Sequence, residues 1–295
     1  MFYRRKIALS LLRLFGGELS KLEMQKYLFL VAVRQAKPSY EFVPHKYGCY
    51  SFQAEADRRT MVKYGWLNGD EKWSLGTTVD HAASLKKEDV AALLEVKRLY
   101  GGLSGQALLK RIYTEHPFYA INSEIVDEVL GASGTDTVMN ARPLGRGRQV
   151  FTMGYEGVPL ERFLRTLLMR DIRVLCDVRR NPLSMKFGFS KGQLSRSCEA
   201  LGIEYVHMPE LGIASNKRQN LDTPADYEEL FDEYEETTLR SVANSLHRIR
   251  DLVSVHDRIV LVCFEACHGE CHRSRIAGAL QRLDGWHTPI EHIAA

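Results

Sequence analysis

Beyond residue 149 the chain alternates short apolar runs with helical stretches, and this alternation constrains the fold more than any other feature. The strand candidates are residues 150–155, 173–178, 203–208, 258–264 and 289–293. Helical spacing falls between them at about 160–170, 190–201, 225–253 and 272–283. Strands separated by helices pair in parallel, because a tight hairpin cannot return the chain in the same direction. The pattern therefore predicts an α/β unit, a Rossmann-like parallel sheet with flanking helices and right-handed crossovers.

Open parallel sheets bind ligands beyond the carboxyl ends of their strands. Tyr155, Glu156 and Gly157 follow the first strand. Asp177, Arg179, Arg180, Asn181, Pro182 and Ser184 follow the second, and His207, Pro209, Glu210, Leu211 and Gly212 the third. After the fourth comes Glu265, within "CFEACHGECHRSR" at 263–275. Acids, arginines and histidines gathered from four segments between apolar flanks predict a site at that edge.

The 263–275 loop has three chemical readings. Cys263, Cys267, Cys271 and His272 supply four possible zinc ligands, but they come from one strand–loop–helix segment rather than two knuckles. Adjacent Cys271 and His272 are expected to point apart, and no metal is expected. In the second reading Cys267 is a nucleophilic thiolate, with five residues between it and Arg273; Glu270 then repels the anion it would attack. In the third, His272, Arg273, Ser274 and Arg275 open a helix directly after a strand, a natural phosphate site. This third reading is favoured. Tyr155, Arg179, Ser184, Arg273 and Arg275 then bind phosphate or nucleotide, Asp177 and Glu265 activate water or stabilise charge, and His272 moves a proton. The competing reading makes Asp177 with Arg179, and Glu265 with Arg273, buried ion pairs that only fix the loops.

The first half reads differently. Helical spacing covers residues 4–15, 21–35 and 51–64, and "WLNGDEKWSLG" reads as a hairpin around Asn68-Gly69-Asp70. Three helices and a hairpin predict a winged-helix-like unit, mainly helical. Residues 1–150 hold 22 Lys/Arg against 16 Asp/Glu, whereas the remainder holds 18 against 21. The basic excess points to an anionic partner, nucleic acid among them. Arg58, Arg59 and Lys63 on the third helix are the candidate contacts, or equally a solvated face. Residues 86–130 continue as helices, and "GASGTDTVMNARPLGRGRQ" at 131–149 reads as connecting chain. The expected division is a winged-helix-like domain at 1–135, a linker at 136–149 and the α/β domain at 150–295. "MFYRRKIALSLLRLFGG" imitates a signal peptide, but Arg13 interrupts its apolar run and no small-residue cleavage site follows. A cytoplasmic protein without membrane attachment is expected. Its six cysteines are too few for a disulfide scaffold.

Two resemblances sharpen these expectations. "GYEG", "DVRRNPLS", "LGIEYVHMPELG", "CFEACHGECHRSRIAGAL" and "IEHI" resemble the domain of unknown function family 488 across residues 150–293. That resemblance implies an α/β domain associated with nucleic-acid modification or prokaryotic defence. It also marks Tyr155, Asp177, Arg179, Pro182, Ser184, Leu211, Gly212, Cys263, Glu265, Cys271, His272 and Arg273. Cys267 stands where that family often has Asp and is not carried over. "KLEMQKYLFLV", "YEFVPHKYGCYS" and "YGWL" resemble the N-terminal module of the Panacea antitoxin-like family over roughly residues 5–70. It implies a helical, winged-helix-like unit that binds protein or nucleic acid. The expectation is a nucleic-acid-directed protein, DNA favoured, whose second domain acts on a nucleotide or modified base by glycosidic hydrolysis, without a cofactor. The alternatives are a non-enzymatic sensor and an antitoxin-like regulator that binds a nucleotide, nucleic acid or protein partner.

Overall fold

The computed structural model describes residues 1–69, 71–214, 217 and 223–294. The chain divides into two compact units, Met1–Arg142 and Pro143–Ala295. Each has a hydrophobic core of its own.

The N-terminal unit runs α1 (Tyr3–Leu14), β1 (Glu18–Ser20), α2 (Lys21–Arg34), β2 (Val43–His45), β3 (Gly48–Tyr50), α3 (Phe52–Lys63), β4 (Lys72–Ser74), α4 (Lys87–Tyr100), α5 (Gly105–Glu115) and α6 (Val126–Asn140). Helix α2 starts where Ser20 accepts from the Glu23 N–H and the Glu23 carboxylate returns to the Ser20 N–H. Ser51 caps α3 by accepting from Ala54 N–H. Strand β4 pairs antiparallel with β1, and Leu67 bridges Leu75 across the reversal expected at 68–70, of which Asp70 lies outside the described residues. The aromatic stretch before α3 forms the β2–β3 hairpin. Its turn requires glycine twice over: Gly48 has φ +86°, and a Cβ there would stand 2.6 Å from the Tyr113 ring.

The linker expected at 136–149 begins too early. Helix α6 continues to Asn140 across a kink at Gly131, and Val129 and Val138 bury against the N-terminal core. Two buried valines hold a helix that the Gly, Ser and Thr content disguises.

Asp57 is the polar centre of this unit. It is 1% exposed, and its carboxylate accepts from Arg4 Nε at 2.5 Å, Arg5 Nε at 2.8 Å and the Tyr40 hydroxyl at 3.1 Å. It thereby ties α1 and the chain before β2 to α3.

The C-terminal unit runs β5 (Gln149–Gly154), α7 (Leu160–Met169), β6 (Val174–Asp177), α8 (Lys191–Glu199), β7 (Glu204–His207), α9 (Pro224–Tyr234), α10 (Ala243–His256), β8 (Arg258–Cys263), α11 (Arg273–Gln281) and β9 (Ile290–Ile293). The strands order as β7-β6-β8-β5-β9, every neighbouring pair parallel. This is the five-stranded parallel sheet with flanking helices that the alternation predicts. The single helix expected over 225–253 is interrupted instead. A π turn at Glu235–Leu239 follows α9, and Val242 leaves helical geometry (φ −113°, ψ 31°) before α10. Side-chain hydroxyls of Thr237 and Ser241 donate to the carbonyls of Glu233 and Thr238, competing with the regular ladder. Among the described residues no helix is long and apolar enough to cross a membrane.

Replacing Asp57 with Ala leaves two arginines and a tyrosine without their shared acceptor. We expect the N-terminal unit to lose about 3–5 kcal/mol, read as a lowered urea midpoint at unchanged slope.

Candidate functional site

Strands β5, β6, β7 and β8 end level with one another. The ladder sets Gly154 beside Cys263, and Asp177 beside both Val262 and His207, so the four following turns share one edge. Two glycines let those turns close together. A Cβ on Gly154 would lie 1.8 Å from the Glu265 carbonyl oxygen, and one on Gly212 would lie 2.0 Å from the Arg180 nitrogen.

Asp177 and Arg179 form a fork-to-fork pair at this edge. Arg179 donates from Nε to Oδ1 at 2.8 Å and from Nη2 to Oδ2 at 2.6 Å, and its backbone N–H adds a third bond to Oδ1. The Tyr205 hydroxyl donates to Oδ2 at 2.5 Å, so the carboxylate's acceptor sites are filled while Asp177 is fully buried. Arg179 Nη1 donates to the Tyr155 hydroxyl at 2.7 Å and to the Phe189 carbonyl at 2.9 Å. Burial alone would lower the Arg179 pKa; the bonds and charge of Asp177 outweigh it and raise it. Burial, then Asp177, pushes the Tyr205 hydroxyl well up, so it stays a donor.

This pair corrects two sequence expectations. Asp177 has no acceptor site left for a water, and Arg179 has spent its fork on protein. They are positioning residues. The same holds for Arg273, which is 1% exposed and donates to the carbonyls of Glu265 at 2.6 Å and Ala266 at 3.0 Å. It braces the loop rather than facing a phosphate. Arg275 pairs with Glu228 at 2.8 Å and Glu235 at 3.3 Å. Arg273 thus uses both terminal nitrogens on the loop, while its buried Nε finds no hydrogen-bond partner among the described residues.

What remains open to a ligand is a cavity of about 290 Å³. Tyr155, Arg179, Cys263 and His272 give it a buried lining, and exposed Arg180, Asn181 and half-buried Ser184 add polar groups. Leu183, Met185 and Phe264 supply exposed apolar surface to the same cavity. Tyr155 stacks on Phe189 at 4.2 Å between ring centres and meets Phe264 edge-on at 5.3 Å. The apolar members, Tyr205 and Phe189 were not legible as site residues. For Tyr205 a signal existed, since it lies two residues before His207 and so on the same face of β7.

Cys263, Cys271 and His272 meet at the end of β8 and the start of α11. Their ligating atoms all lie within 4.8 Å of one another, and all three residues are buried. His272 Nδ1 stands 3.7 Å from Cys263 Sγ and 3.9 Å from Cys271 Sγ, while Nε2 lies 3.2 Å from the Val178 carbonyl. Cys263 Sγ is also 3.2 Å from Glu265 Oε2. Burial, followed by Cys263, pushes the Cys271 thiol well up. Two expectations change here. The adjacent Cys271 and His272 do converge, because the chain turns at His272 to enter α11 with φ −56° and ψ −17°. His272, enclosed by two sulfurs and a carbonyl, is poorly set to shuttle protons to a substrate. Cys267 is exposed and outside both this cluster and the cavity lining. His207 braces the edge, with Nε2 3.0 Å from the Arg179 carbonyl. The polar segment "ASNKRQNLDT" at 214–223, which from its sequence suits a lid, a nucleic-acid contact or an ordinary surface loop, lies largely outside the described residues.

In the N-terminal unit, Arg58 is 3% exposed and its guanidinium holds both oxygens of Glu55 at 3.0 Å, which removes it from the expected nucleic-acid contacts. Arg59 and Lys63 are exposed. Arg59 lines a second cavity, of about 470 Å³, with Lys21, Lys26, His45 and Lys46. Lys26 is 2% exposed, donates to the Cys49 carbonyl at 2.9 Å, and has its pKa lowered by burial.

Residues 159–280 match the family model described as Domain of unknown function DUF488. The match leaves out the "GYEG" and "IEHI" words at either end of the C-terminal unit. Neither the curated proteins nor the solved structures provide a match.

Five of the six cysteines are buried. Brief alkylation of the native protein at neutral pH should therefore modify Cys267 alone, with six modifications after denaturation; peptide mass spectrometry reads both.

Proposed function

We propose, from a C-terminal unit that carries a DUF488 domain, that this unit binds a nucleotide or a modified base at the carboxyl edge of its sheet and hydrolyses the glycosidic bond. The observation that carries the reading is the cavity of about 290 Å³, which combines a polar wall with an apolar one. Arg180, Asn181 and Ser184 offer donors to a phosphate or sugar. Phe264 and Met185 offer flat and flexible apolar surface to a base. Glu265, half-buried beside the cavity lining at Cys263, is the carboxylate that takes a proton from water. Water adds to the anomeric carbon, the carbon–nitrogen bond breaks, and the base leaves with a proton. Asp177, Arg179 and Arg273 hold the turns around that cavity.

The N-terminal unit brings the protein to nucleic acid, DNA in preference, in the cytoplasm. Its basic balance, its exposed Arg59 and Lys63, and its three helices followed by the reversal into β4 support that reading. A base presented by DNA has to leave its stack to enter a cavity of this size, at a cost of about a few kcal/mol that a damaged or modified base lowers.

Two outcomes test the proposal. Incubation with modified nucleosides and DNA should release free base, read by chromatography, and Glu265→Gln should slow release by about 100-fold while ligand affinity stays within about twofold. Tight binding with no turnover in the unsubstituted protein makes the C-terminal unit a sensor, and absence of both binding and release overturns the reading. Arg59→Ala with Lys63→Ala should weaken DNA binding and flatten its salt dependence, each lost phosphate contact removing about 0.9 from the log–log slope. A binding constant indifferent to salt counts against an N-terminal nucleic-acid interface.

A further inference from the structure

Cys263, Cys271 and His272 do more than fill space at the end of the sheet. They bring two sulfurs and one imidazole nitrogen together inside the protein, from a strand end and a helix start eight residues apart in sequence. Tetrahedral zinc with its usual bond lengths holds sulfur and nitrogen ligands ~3.6 Å apart. The two sulfur-to-Nδ1 distances here are 3.7 and 3.9 Å. We propose that Cys263, Cys271 and His272 are the ligands of a zinc ion bound at the rim of the C-terminal cavity.

A second observation points the same way. A ligating histidine ordinarily donates its remote ring N–H to a carbonyl or carboxylate, which fixes the tautomer and leaves the near nitrogen's lone pair for the metal. His272 Nε2 lies 3.2 Å from the Val178 carbonyl, and Nδ1 is the atom turned toward both sulfurs. Two thiolates and an imidazole are a soft donor set that selects zinc over magnesium, calcium or manganese. Cys263 and His272 both line the cavity, so the ion has a path in and a side that faces ligand. Three protein ligands with a fourth position left for water is the pattern of catalytic rather than structural zinc. Glu265, whose Oε2 is 3.2 Å from Cys263 Sγ, stands where it takes the fourth position or accepts a proton from water bound there. Cys267 has no part in the site, despite lying between two of its ligands in sequence.

The site does not depend on the substrate being a glycoside, and its test reads metal rather than turnover. The full chain, purified without chelator from zinc-supplemented culture, should carry about one zinc per chain by elemental analysis. Cys271→Ser and His272→Ala should lose it, and Cys267→Ser should keep it. If the first two variants fail to fold, the unsubstituted protein still decides the matter. Stripped of metal and titrated with Co²⁺, it should develop the thiolate-to-cobalt charge-transfer band of a tetrahedral site at one equivalent. Absence of zinc together with absence of that band overturns the proposal. So does zinc that survives Cys271→Ser in a folded protein, or zinc that Cys267→Ser removes. Zinc bound without release of base sinks the hydrolase reading alone.

Discussion

The buried pair of Asp177 and Arg179 organises the C-terminal unit. One guanidinium reaches the carboxylate at the end of β6, the hydroxyl of Tyr155 after β5 and the carbonyl of Phe189 before α8. Tyr205 on β7 adds a further bond to Oδ2 of the same carboxylate. Segments from three strands and a loop are thus held through two side chains inside a low-dielectric interior, where an unpaired charge would be costly. The pair is expensive to assemble and more expensive to break, so it fixes geometry more than it adds net stability. Arg273 does the same work for the fourth turn with backbone carbonyls alone.

That division of labour changes which polar residues face the cavity. The most conspicuous arginines of the motifs are structural, and the quieter Arg180, Asn181 and Ser184 line the cavity with only long or local hydrogen bonds to protein. The sulfurs move in the opposite direction, from incidental residues of a polar loop to the buried corner of a candidate metal site. Both shifts have one cause. A charged fork buried at a crowded edge finds protein acceptors, whereas soft, compact thiols tolerate burial and gather there.

The N-terminal unit repeats the pattern on a smaller scale. Asp57 gathers Arg4, Arg5 and Tyr40, and Glu55 takes Arg58, so basic residues that look like a nucleic-acid face in the sequence are partly internal wiring. Arg59 and Lys63 remain outside because the helical period carries them off the buried face that Arg58 occupies.

Much of this protein was legible from residues in order. Apolar runs of strand length separated by helical spacing yield the parallel sheet, since the central strands bury both faces and each crossover needs a helix. The five strands fall within a residue of their expected limits. The carboxyl edge was legible too, because strand direction alone decides where the following turns go. Partnership was not. Nothing local says that Tyr205 will close on Asp177 or that Cys271 and His272 will turn the same way, and the sequence left open whether Arg179 pairs with Asp177 or with a ligand. Likewise the helix at 131–140 hides in Gly, Ser and Thr until Val129 and Val138 meet a core. Periodicity is a property of consecutive residues, so the sequence determined the elements and their edge. Hydrogen bonding and ligand geometry are properties of atoms brought together from distant positions, so only the tertiary structure decided which of the edge's side chains are wiring and which are free to act.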